Sequence, residues 1–124
     1  MGIQLIAMKR DWELIREILT RLEKTQSSKA CLRSDELSDY DADAVAYQMK
    51  MLIQAGLIEG LRGCRHCTAY SLTWEGHEFL DTVRSKPVWD SAIIMLQEKG
   101  IEMSIDAFKT AARIAIGGIF GERQ

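Results

Sequence analysis

The sequence predicts a mainly α-helical fold carrying one small β-hairpin, and three observations point to it. Apolar residues recur at helical spacing through most of the 124 residues. Two short runs, "LIEGLRG" and "TAYSLT", flank a turn rich in glycine and cysteine, the pattern of paired strands. A single proline and the lack of any low-complexity run argue against a long linker.

Taken in order, Trp12, Ile15, Ile18, Leu19 and Leu22 fall on one helical face. Asp11 and Glu13 suit the positive end of that dipole, and Arg21 and Lys24 the negative end. A helix is expected from Lys9 to Thr25, preceded by an extension of residues 1–8 in which Met8 offers an alternative start. "TQSSK" is a polar turn, and "ACLRSDEL" is a short extended segment with room for about one helical turn at 34–38. Ser38, Asp39 and Asp41 are cap candidates for a helix from Ala42 to Ala55, with Val45, Met49, Leu52 and Ile53 on one face and Gly56 as its stop. The hairpin follows, its turn holding Gly63, Cys64, Arg65, His66 and Cys67. Thr73 caps a further helix with Trp74, Phe79, Leu80 and Val83 as its stripe. Pro87 kinks or restarts it, and Val88, Trp89, Ala92, Ile93 and Leu96 continue a buried face to Gly100. Ser104 caps the last helix, "IDAFKTAARIAI", which Gly117 and Gly118 end.

Helix, extended piece, helix, hairpin, helix, helix is the order of a winged-helix domain, here residues 9–86, followed by C-terminal helices over 87–124. Three helices make a small core and the hairpin covers one open side of it. Two segments carry a resemblance. "VAYQMKMLIQAGLI", Val45 to Ile58, resembles the recognition helix and first wing strand of bacterial winged-helix regulators, and "YSLTWEGHEFL" resembles their second wing strand and following helix start. More narrowly, "MKRDWELIREIL", "AGLIEG" and "LTWEGHEFLD" resemble an uncharacterised bacterial and phage family of unknown function, over most of residues 8–100. That resemblance implies a winged-helix-like fold and a phage or prophage origin, and it brings no activity or ligand. The chain departs from the winged-helix pattern in two ways. A single turn stands where a positioning helix belongs, and Asp39, Asp41 and Asp43 open the recognition helix, where carboxylates repel phosphates.

The formal net charge of −2 excludes a whole-surface polyanion binder but leaves room for a local basic patch. If DNA is the partner, the recognition helix offers Ala46, Tyr47 and Lys50, and the wing offers Arg62, Arg65 and His66. Lys50 suits a phosphate or a guanine edge, and Arg65 a minor groove. Lys9, Arg10 and Arg16 add to a basic edge. The same residues serve equally as a solvated surface, and the alternative is a protein-interaction module built on the winged-helix scaffold.

Cys64 and Cys67 have the spacing of a zinc knuckle, but His66, His77 and Cys31 complete no familiar second half. A hairpin turn lacks the helix N-terminus that lowers a thiol pKa, so free cysteines and no metal or cofactor are expected. Glu75, His77 and Glu78 lie close together, yet they form no His-Glu-x-x-His pattern and no nucleophile accompanies them, so no enzyme is expected. Trp12, Trp74 and Trp89 sit at apolar helical positions and are read as core. Ile105, Phe108, Ala112 and Ala115 either face a second copy, making a homodimer through residues 88–120, or pack back on the first helix. With three cysteines, no secretory pattern and no apolar stretch of about 20 residues, a cytoplasmic protein without a membrane span is expected.

Overall fold

Asp11 opens the first helix. Its carboxylate accepts the Leu14 N–H at 3.2 Å and its carbonyl accepts the Ile15 N–H at 2.8 Å. As the N-cap it stands outside the helix, so α1 begins one residue later and runs Trp12–Lys24. The computed structural model describes residues 11–24, 31–63 and 66–119. The expectations for residues 1–10, for the turn at 25–29, and for Cys64 and Arg65 lie outside the described residues.

Two compact units divide the chain, residues 1–77 and 78–124. In the first unit α1 buries Leu14, Ile15, Ile18, Leu19 and Leu22, whereas Trp12 is only half-buried. Each fully buried Leu or Ile contributes about 1.5–3 kcal/mol relative to exposure. Strand β1, Leu32–Arg33, leads into a 3-10 turn at Ser34–Glu36. Two local bonds fix this piece: the Glu36 carboxylate accepts the Arg33 N–H at 2.9 Å, and the buried Ser34 hydroxyl accepts the Cys67 N–H at 3.0 Å. The single turn expected between α1 and the next helix is thus a 3-10 turn pinned to a strand.

Helix α2, Ala42–Gln54, starts at Asp41, whose carboxylate accepts the Ala44 N–H at 3.1 Å. Its buried face comprises Val45, Ala46, Gln48, Met49 and Leu52. Gln48 is the one polar member, and its side-chain oxygen accepts the Asp11 N–H at 3.0 Å, satisfying a donor at the start of α1. Gly56 takes the left-handed conformation, φ 79°, and turns the chain into β2, Ile58–Arg62. Strand β3, Cys67–Leu72, pairs antiparallel with both others, giving the order β1-β3-β2. Ile58 lies opposite Leu72 and Arg62 opposite Cys67, with a register shift at Glu59/Gly60. Ile58, Cys67, Ala69 and Leu72 point inward, while Leu61 and Tyr70 are exposed.

Helix α3, Trp74–Val83, is started by Thr73. The Thr73 hydroxyl donates to the Gly56 carbonyl at 2.5 Å and accepts the Gly76 N–H at 3.0 Å. Trp74 is 75% exposed, which corrects the expectation that it belongs to the core. It stands about 140° round the helix from Phe79, so the register that buries Phe79, Leu80 and Val83 turns Trp74 to solvent.

In the second unit α4, Lys86–Lys99, restarts as the proline predicts: Ser85 accepts the Val88 N–H at 3.4 Å and Pro87 sits in the first turn. Gly100, at φ 67°, closes it. Helix α5, Ile105–Ile119, is capped by Ser104, whose hydroxyl accepts the Ala107 N–H at 3.1 Å. It runs through Gly117, so the glycine pair expected to end it does not. Glycine costs a helix about 1 kcal/mol relative to alanine, which weakens a helix without stopping it. Helices α4 and α5 pack on each other. Trp89 stacks on Phe108 with ring centroids 4.6 Å apart, and Phe79 meets Phe108 edge-on at 6.5 Å. Phe108 and Ala112 are thus buried within their own unit. The architecture is mainly helical with a small three-stranded antiparallel sheet. Among the described residues no helix is long and apolar enough to cross a membrane.

Candidate functional site

The face that α2 shares with the hairpin is shaped by where the α2 stripe falls. Val45, Gln48, Met49 and Leu52 point inward, and Ala46, on the flank of that face, is only 9% exposed. Ala46 therefore offers nothing to a partner, contrary to its place among the contact candidates. Tyr47 and Lys50 are half-buried, with Lys50 toward the later turns of α2, while Arg62 and His66 are exposed at the end of the hairpin.

Cys67 lies within reach of the Lys50 and Arg62 charges. It is fully buried at the start of β3, directly across the hairpin from Arg62. Burial pushes its thiol pKa up. The Lys50 and Arg62 charges act on the same sulfur and pull the pKa down, as does a backbone hydrogen bond at Thr68. Two cations from separate elements, one on α2 and one on β2, thus both act on Cys67 toward the turn end of the hairpin. Neither has an ion-pair partner among the described residues.

The neighbouring groups differ. Asp35, in the 3-10 turn, accepts from the Arg33 guanidinium at 2.8 Å and stands 3.7 Å from His66 Nδ1. A protonated His66 would therefore meet a carboxylate before it met a phosphate. Neither Arg33 nor Asp35 is marked by the sequence, since only the pairing of β1 with β3 brings them to the hairpin. At the other end of α2 the surface turns acidic. Asp39, Asp41 and Asp43 are all exposed, and Asp41 is engaged as the cap. The Tyr40 pKa is raised by burial first, then by Glu17, Asp11 and Glu13 of α1 and its cap, and last by Asp39.

Among the described residues, the cysteine and α3 candidates do not assemble into a centre. Cys67 has the burial and raised pKa of a core thiol, whereas a metal ligand must ionise. Cys31 is exposed, and among the described residues no group of three or more His, Cys, Asp or Glu side chains is placed to hold a metal ion. Glu75, His77 and Glu78 are exposed on α3, and Arg16 is half-buried on α1.

The "LTWEGHEFL" segment, by contrast, is explained by structure at nearly every position. Leu72, Phe79 and Leu80 are buried, Thr73 caps α3 and bonds Gly56, and Gly76 lies against the Leu57 backbone. Family comparison agrees with the weight these motifs carry. Residues 9–102 match the family described as "Hypothetical protein (DUF2513)". An uncharacterized protein of Haemophilus influenzae is 38% identical over 113 residues, covering 88% of this chain and 96% of its own. No solved structure matches the chain. With a family match over well more than half its length and a relative aligned almost end to end, the chain belongs to the DUF2513 family.

Proposed function

We propose that the chain is a cytoplasmic winged-helix DNA-binding protein, a transcriptional regulator of phage or bacterial origin that works as a homodimer through its C-terminal helices. In this reading α2 is the recognition helix and the β2–β3 hairpin is the wing. The reading invokes neither a cofactor nor catalysis. The observation that carries it is that Arg62 lies opposite Cys67 toward the turn end of the hairpin and that Lys50 on α2 also acts on that sulfur, with no ion-pair partner for either cation among the described residues. Two cations held on rigid elements suit successive phosphates of a backbone, and each neutralised phosphate releases counterions. The acidic start of α2 then limits how its first turn can approach the groove, so contact falls on the later turns and the wing. Selection from a randomised duplex pool at low salt tests the reading, with retention of duplex as the expected result.

A second reading, a protein-interaction module on the same scaffold, is favoured by the exposed Asp39, Asp41 and Asp43 and by the exposed apolar side chains Leu61, Tyr70 and Trp74. An empty selection at low salt replaces the first reading with this one.

A further inference from the structure

Helices α4 and α5 leave an open groove between them of about 290 Å³. Met95 and Lys99 of α4 line one side and Asp106 and Ile114 of α5 the other, over the buried Leu96. Ile114 is 56% exposed, and Ile101, in the connection beside Lys99, is 47% exposed. Lys99 and Asp106 are both exposed and have no ion-pair partner among the described residues.

The geometry points to a second copy of this chain as the occupant, through a two-fold axis running along the groove. Rotation by half a turn about such an axis lays each wall over the opposite wall of the other copy. Lys99 then faces the other copy's Asp106, and Asp106 faces the other copy's Lys99. Met95 and Ile114 add apolar surface from the two walls to the same interface. A groove with one charge sign on both walls would repel its own image. Here the cation and the anion stand on opposite walls near the α4–α5 connection, so the surface is complementary to itself. Apolar side chains fill the middle and charges sit at the edge, the usual arrangement of an interface with a polar rim. The inference rests on the paired-copy part of the reading above and needs none of its DNA contacts.

Light scattering of the DNA-free chain at high micromolar concentration is the test, with far-UV circular dichroism confirming that each variant is folded. The wild-type chain is expected at twice its monomer mass. Lys99→Glu and Asp106→Lys each place like charges opposite one another at both edges and weaken the dimer by about tenfold. Mixing the two variants in equal amounts restores it. In the mixed pair the introduced glutamate meets the introduced lysine at one edge, and the native Lys99 and Asp106 meet at the other. Ile114→Glu leaves monomer. A wild-type chain that stays monomeric overturns the proposal and leaves the groove to a different occupant. A dimer indifferent to Ile114→Glu, or folded charge variants that do not rescue each other on mixing, overturns it as well. Because no nucleic acid is present, loss of the dimer and loss of DNA binding are read separately.

Discussion

Thr73 and Gly76 act as one joint between the helix–hairpin core and the start of α3. The hydroxyl bridges the Gly56 carbonyl and the Gly76 N–H, and a Cβ on Gly76 would overlap the Leu57 carbonyl oxygen. That oxygen also accepts the Thr73 N–H at 3.0 Å, so it cannot move aside without losing a bond. Gly76→Ala is expected to destabilise the chain by about 1–3 kcal/mol in urea denaturation, the range for overpacking a tight contact. Trp74 sits between them and is 75% exposed, so Trp74→Ala is expected to change stability by less than about 0.5 kcal/mol in the same assay. Cys67 gives a pH signature. Its thiol stays neutral when buried, whereas in the unfolded chain it ionises near its ordinary value of about 8.5. Above that value the unfolded state binds fewer protons than the folded one, so stability falls as pH rises. Denaturant midpoints measured from pH 7 to 10 should decline, and Cys67→Ala should flatten the decline between 8 and 9.5 even as it lowers the whole curve. The raised Tyr40 pKa adds a second decline at higher pH, which that substitution leaves in place.

At the level of elements, periodicity and caps are legible in the sequence and the rotation of each face is less so. Asp41, Thr73, Ser85 and Ser104 all start helices where a short polar side chain precedes an apolar stripe. The hairpin follows from its two runs and the intervening turn, and the restart at Pro87 from its fixed φ. The α2 face departs from the expected one because Gln48 is polar yet buried. A burial stripe centred on apolar residues alone leaves Gln48 outside, whereas the bond from the Asp11 N–H brings Gln48 inward on one flank of the stripe; Ala46, seven residues before Ile53, lies on the other flank. No local signal announces that bond, which joins residues 37 apart. Trp74 departs because hydrophobicity does not fix rotation at the first position of a helix. The end of α5 departs because glycine there is a weak penalty that the helix absorbs. The aromatic cluster of Phe79, Trp89 and Phe108 holds the second unit together. Phe108→Ala is expected to cost about 3–5 kcal/mol, read as loss of amide-exchange protection in α4 and α5.

On the scale of the whole molecule, the chain carries a net charge of −2. In the hairpin-bearing unit Asp39, Asp41 and Asp43 are exposed around the start of α2, whereas Lys50 and Arg62, without an ion-pair partner among the described residues, act on Cys67 toward the turn end of the hairpin. The acidic run is local in the sequence; only the packing of α2 on β3 brings Lys50 toward Cys67. The candidate contacts are half legible for that reason. Lys50 and Arg62 are visible as residue types on the right elements, but the Arg33–Asp35 pair beside His66 depends on strand pairing between distant parts of the chain. In the proposed reading, duplex would be held through a few phosphate contacts, so its binding would depend on salt. The most direct test of the central claim is a salt titration of duplex binding by the wild-type chain and by the Lys50→Glu, Arg62→Glu double variant. The account predicts wild-type binding at low salt, with a log–log salt slope that becomes shallower by about 2 in the variant, near 0.9 for each lost phosphate contact. No duplex binding at low salt, or a variant that binds with the wild-type slope, would contradict it.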